Sequence, residues 1–193
     1  MKFSRREIKD LLIAWLMISL AFAILFSGAS VSSLFFISLA ISGLTVGIGF
    51  LFHELMHKYL AQKYGLWAEF RASYNMLFLA LVFSFFGFII AAPGAVLIQG
   101  NLTKEKNGKI SLAGPLTNIV LAFLFLIPVL LFRAEGVLGL FFSYGLTINS
   151  LLALFNLIPA VPFDGRKVYI WNKGVYIITI IFALVLFLSR YFV

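Results

Sequence analysis

The chain has 193 residues, of which 63% are hydrophobic and 11% charged, and its mean hydropathy is +1.08. A soluble domain carries roughly a quarter of its residues charged, so water is not the main solvent of this chain. It contains no cysteine, which excludes disulfides, thiolate metal ligands and cysteine nucleophiles together, and its charge of +8 reads as Lys and Arg gathered in loops against anionic lipid, with no nucleic-acid partner.

Residues Lys2 to Asp10 are polar and basic, and an apolar run follows from Leu11 to about Phe26. No small-residue cleavage site follows that run, so it reads as a retained helix. Lys2, Arg5, Arg6 and Lys9 precede it, which predicts a cytoplasmic N-terminus and a multi-pass protein of the cell membrane. Ser27 to Ser30 is a small-residue break. A second run starts near Val31 and continues to about Leu60, long for a single crossing. From Leu66 to Tyr74, Trp67, Glu69 and Arg71 alternate with Ala68, Phe70 and Ala72, a strand-like period of two.

Met76 to Ala92 is apolar but short and ends at Pro93-Gly94. Ala95 to Leu102 is a second strand candidate. Lys104 to Lys109 is the most polar loop, and its Asn107-Gly108 pair predicts a tight hairpin turn. Three further apolar runs follow, Leu112 to Phe132, Val137 to Ile158 and Gly174 to Leu188. These runs predict an all-α integral membrane bundle of five to six membrane segments with a small interfacial β element. Residues 1–193 read as a single domain, with no room for an appended soluble one.

Two histidines occur in the whole chain, and they stand in His53-Glu54-Leu55-Met56-His57. A spacing of four puts both imidazoles on one helical face, where they can share a metal ion, with Glu54 beside the ligand shell. Ionisable groups on a membrane segment are costly and usually functional, which disfavours a merely structural pair. A hydrolytic zinc site needs three protein ligands and an open position. With no third histidine and no cysteine, the third must be an acid. Glu7, Asp10, Glu105 and Glu135 read as solvated charges. Glu69 is a candidate that could instead pair with Arg71. Asp164 is the preferred ligand, because Pro159, Pro162 and Gly165 break the helix around it and free backbone groups, which a membrane tolerates where chain lines protein or a wet cavity. Its alternative is an ion pair with Arg166 or Lys167.

The HExxH motif on a membrane helix, Gly114-Pro115-Leu116-Thr117-Asn118 opening a later helix, and Asn156 to Gly165 together resemble the site-2 protease family of intramembrane metalloproteases. The resemblance runs from about Val46 to Lys167. It implies one zinc ion per chain, held by His53, His57 and Asp164, with Glu54 as general base and acid. It also implies that Asn156 lies near the metal and helps hold substrate or the developing oxyanion. The implied substrates are membrane-anchored proteins, cut near the cytoplasmic side of the bilayer. Family members often carry a PDZ or CBS domain, for which this chain has no room. Gly114-Pro115 reads as proline in the first turn of a helix, and Asn118 as packing support between helices. The rival readings are an ion or solute transporter, which has no need of a glutamate between two metal-spaced histidines, and a non-proteolytic relative, which would not keep every catalytic part.

The ligand set constrains topology. If Met76–Ala92, Leu112–Phe132 and Val137–Ile158 all crossed, about 30 Å of hydrocarbon would separate Asp164 from the histidines. The shortest of the three, Met76 to Ala92, is therefore predicted to be re-entrant. An exposed strand edge at 66–74 or 95–102 could then hold an unwound substrate segment by main-chain pairing.

Overall fold

Residues 1–28, 30, 32–89, 92–132 and 135–192 are described by a computed structural model. Helix α1 (Arg5–Ser27) is followed by α2 (Ser33–Ser42), a π-helical turn (Gly43–Gly47) and α3 (Ile48–Lys63). Strand β1 (Trp67–Ala72), α4 (Tyr74–Ser84) and β2 (Gly94–Gln99) come next, and α5 (Lys104–Phe132), α6 (Gly136–Asn156), α7 (Asp164–Trp171) and α8 (Lys173–Ser189) complete the chain. The expected break at Ala29, the start of the second run at Val31, the end of the Met76–Ala92 run at Ile90 and Ala91, and the turn at Arg133 and Ala134 lie outside the described residues.

Among the described residues, four helices are long and apolar enough to cross a membrane: Arg5–Ser27, Ser33–Lys63, Lys104–Leu131 and Gly136–Asn156. Helix α8, with 17 residues, is about 25 Å long, and α4, with 11, about 16 Å. The sequence expectation counted five to six segments; these four meet the length of a hydrocarbon core of about 30 Å. Their outer faces stay apolar, with Leu16, Phe36, Leu124 and Leu138 each more than half exposed. Inside, one cluster joins Leu11, Ala14 and Ile18 of α1 to Val46, Phe50, Phe70, Leu77 and Ile148. A second joins Ile119, Ala122, Leu146, Ala153, Ala183 and Leu186 across α5, α6 and α8.

The two expected strands form an antiparallel pair running from Trp67 opposite Gln99 to Ala72 opposite Gly94. Just past its end, the Ser73 N–H donates to the Pro93 carbonyl at 2.9 Å. The segment between Ser73 and Pro93 therefore returns to the place it left. A Cβ on Gly94 would collide with the Arg71 carbonyl and the Phe70 ring, so a bare backbone is required where this loop closes.

Three expectations are corrected. Asn107-Gly108 is not a hairpin turn: it lies in the second turn of α5, which starts at Lys104 because the Thr103 hydroxyl accepts the Lys106 N–H at 3.2 Å and Glu105 follows in the first turn. Gly108 serves packing instead, since a Cβ there would strike the Trp171 side chain. Pro115 is likewise not in a first turn but deep within the same helix, where its ring deprives the Ser111 carbonyl of a donor. Finally, Glu7 and Asp10 are not solvated. Glu7 is fully buried, pairs with the buried Lys58, and accepts the Phe70 N–H at 2.9 Å. Asp10 accepts the Tyr74 hydroxyl at 2.5 Å and the Ala72 N–H at 3.3 Å. Both acids point inward because α1 begins at Arg5, earlier than the apolar run, and carries them onto the free side of β1. Glu105 and Glu135 are exposed as expected, and Glu69 pairs with Arg71 at 2.7 Å.

Candidate metal centre

His53 and His57 occupy successive turns of α3, and the π-helical turn just before that helix sets the face they present. Such a turn carries one residue more than an α-turn and so re-aims every later side chain. Its cause is α1: the Trp15 indole N–H donates to the Gly43 carbonyl at 3.1 Å, and a Cβ on Gly47 would clash with the same indole. The two imidazoles come to lie edge to face, with centroids 4.6 Å apart.

Asp164 reaches them from the first residue of α7. Its Oδ2 stands 3.4 Å from His53 Nε2 and 3.0 Å from His57 Nε2. The other carboxylate oxygen lies 3.3 Å from Lys167 Nζ, so the ion pair weighed as an alternative coexists with the cluster. Gly165 makes this approach possible, because a Cβ there would run into the Leu157 carbonyl at the end of α6.

The donor set fits zinc. One ligand atom from each of His53, His57 and Asp164 can be chosen so that all lie within 4.8 Å of one another. Ligands about 2.0–2.1 Å from a tetrahedral zinc stand about 3.3 Å apart, close to both measured separations. The far side of each ring is tied to a carbonyl oxygen: His53 Nδ1 to Asn118 Oδ1 at 2.6 Å, and His57 Nδ1 to the Ile110 carbonyl at 2.8 Å. Both acceptors require N–H at Nδ1, which leaves the Nε2 lone pairs facing Asp164. Gly114 completes the cradle, since a Cβ there would collide with the Nε2 atoms of both histidines. Ile110, Gly114 and Asn118 recur at a spacing of four and so form the one face of α5 that lies against α3.

Glu54 is buried next to His53, and among the described residues no group hydrogen-bonds its carboxylate. Asn156 stands at the C-terminal end of α6, and its amide donates to the Leu152 carbonyl at 2.9 Å. The contact of Asn118 with His53 was not foreseen: a polar side chain able to bond between helices was visible, but its partner depends on how α5 registers against α3. Asn149, whose side chain accepts from Asn118 at 3.1 Å, was missed altogether.

Comparison with known proteins bears on this centre. A protein of Methanocaldococcus jannaschii described as a "putative zinc metalloprotease" is 49% identical over 179 residues, which cover 92% of this chain and 90% of the relative. A Bacillus subtilis protein with the same description is 31% identical over 143 residues, 65% of each chain. A second M. jannaschii protein, named a zinc metalloprotease, is 33% identical over 117 residues, 60% of this chain and 29% of that longer one. No protein-family model and no solved structure matches the chain. An identity of 49% sustained across nine-tenths of both sequences reflects common descent, and the chain accordingly belongs to the zinc metalloproteases: it is a zinc-dependent metallopeptidase.

Proposed function

We propose that this metallopeptidase cuts peptide bonds inside the bilayer, in the manner of the site-2 protease family, with His53, His57 and Asp164 holding the zinc. The observation that carries the reading is the position of the histidines on the 31-residue apolar helix Ser33–Lys63, toward the end that bears Lys58 and Lys63. A hydrolytic centre placed there meets peptide bonds of membrane-anchored proteins near one membrane surface, on the cytoplasmic side if the basic N-terminus is cytoplasmic.

Zinc bound between these side chains supplies Lewis acidity and makes a water molecule acidic near neutral pH. Glu54, whose carboxylate has no hydrogen-bond partner among the described residues, takes the proton of the attacking water and returns it to the leaving amine. Asn156 turns its amide from Leu152 toward the substrate carbonyl and steadies the developing oxyanion. The substrate helix hides its peptide bonds in internal hydrogen bonds, so it must unwind and be held extended. The β1–β2 pair offers an edge for this. On β1 the outward N–H groups of Phe70 and Ala72 are taken by Glu7 and Asp10. Since Phe70 and Ala72 turn away from β2, their opposites Val96 and Gly94 turn away from β1, and the outer edge of β2 can add a strand.

The test is proteomics of membrane fractions from cells carrying the active protein or Glu54→Gln. Fragments of membrane-spanning proteins that appear only with the active form are expected. Fragments confined to soluble proteins would overturn the intramembrane reading.

A further inference from the structure

The tie that orients His53 does not end at Asn118. Asn118 and Asn149 are both fully buried, on α5 and α6 respectively, and neither belongs to the ligand set. The Nδ2 of Asn118 donates to the Gly49 carbonyl of α3 at 3.2 Å and to Asn149 Oδ1 at 3.1 Å, which uses both of its protons. Asn149 in turn donates from Nδ2 to the Gly145 carbonyl of its own helix at 2.9 Å.

Each link of this series has one orientation. The Gly145 carbonyl can only accept, so it takes the Asn149 amide nitrogen and turns Oδ1 toward Asn118. An oxygen there calls for the Asn118 nitrogen, which points the Asn118 oxygen at His53. That oxygen requires a proton on Nδ1, and the His53 Nε2 lone pair is thereby directed at the shared position with His57 and Asp164. Gly49 leaves the room for it, because a Cβ there would fall on Asn149 Oδ1.

We propose that Asn149 is a positioning residue for the zinc ligand His53, acting through Asn118 to fix the tautomer and aim of the imidazole. The inference rests on His53, His57 and Asp164 holding the zinc. Groups outside the ligand shell typically govern metal affinity by 10–100-fold, and a residue one link further out belongs at about the lower figure. A tie between α5 and α6 alone would raise stability and leave the metal untouched.

The experiment is zinc affinity by chelator competition on the full chain in detergent, with the absorption spectrum of the cobalt-substituted protein as a second readout of ligand geometry. Asn149→Ala should weaken zinc by about tenfold and shift the cobalt bands, and Asn118→Ala by about 10–100-fold. The double variant should match Asn118→Ala. Ser150→Ala removes a neighbouring buried hydroxyl that bonds only carbonyls of its own helix, and should leave affinity unchanged. Should Asn149→Ala not fold, Gly49→Ala displaces the same oxygen from the opposite side and should give the same loss. Unchanged affinity in Asn149→Ala with a lowered melting temperature would overturn the proposal, as would additive losses in the double variant. Asp164→Ala keeps the two premises apart: wild-type affinity there places zinc elsewhere and sinks the ligand assignment along with the inference, whereas lost zinc there beside normal zinc in Asn149→Ala sinks the inference alone.

Discussion

His53, His57 and Asp164 are three side chains drawn from two helices, and on the proposed assignment removing any one leaves a two-ligand site. We expect His53→Ala, His57→Ala and Asp164→Ala each to lose zinc or bind it far more weakly, as measured by metal content after purification. Glu54→Gln should retain full zinc and lose peptide hydrolysis, because on the proposed roles it deletes the proton carrier and spares the ligands. Normal zinc in Asp164→Ala would place the metal elsewhere than between these three side chains. Gly114→Ala is a sharper probe of the cradle. Its methyl would occupy space between the two Nε2 atoms, so zinc should be lost although no ligand is changed. A Gly114→Ala protein with wild-type zinc would show that α5 can retreat from α3. That His53, His57 and Asp164 would meet was legible in the sequence because ligand chemistry is stringent: few residue types qualify and this chain holds few of them. The carbonyl oxygens behind the rings were not, since Ile110 contributes only its backbone and any residue could do the same.

At the level of elements, α1 acts as a clamp on the sheet and on α3. Its Glu7 pairs with Lys58, the residue after His57, and also accepts an N–H from β1, while the Ser4 hydroxyl caps the helix and reaches Glu69. Removing one partner of a buried pair strands the other charge, so Lys58→Ala or Glu7→Ala should each cost about 3–5 kcal/mol in denaturant unfolding. Replacing both by apolar residues of similar size should recover most of that. It should not recover all, because the Phe70 N–H then lacks an acceptor, a penalty of about 1–3 kcal/mol. Single variants as stable as wild type would mean that water reaches the pair. These acids were misread as solvated because their sequence neighbours are basic and polar, and charge composition reports nothing about which face of a helix an acid occupies. The Asn107-Gly108 misreading has the same root. A glycine demanded by the Trp171 ring looks, in sequence, like one demanded by a turn. Strand β1 was legible because a period of two is a local property, independent of what packs around it.

For the molecule as a whole, the decisive quantity is how many times the chain crosses between His57 and Asp164. Both residues belong to one cluster, so that number must be even. Helices α5 and α6, with 29 and 21 residues, are each long enough to span, and on the proposed topology they account for two crossings. On the proposed topology the segment between Ser73 and Pro93 accounts for none: its two ends are hydrogen-bonded to each other and α4 is about 16 Å long. Its tip is apolar, with Phe85 and Phe86 58% and 72% exposed, as suits a segment dipping into lipid and turning back. Charge agrees with this path. With α1, the Ser33–Lys63 helix, α5 and α6 each crossing once, every Lys and Arg up to Lys173 except Arg133 falls on the side of the N-terminus. That asymmetry is the one expected of a cytoplasmic face. Because the chain has no cysteine, single substitutions report without background. Cysteines at Lys2, Glu105 and Lys173 should be modified from the cytoplasmic face in inverted vesicles, and a cysteine at Glu135 from the outside of intact cells. Modification of the Glu105 cysteine from outside would require the loop to cross, and would break the topology that brings Asp164 to the histidines.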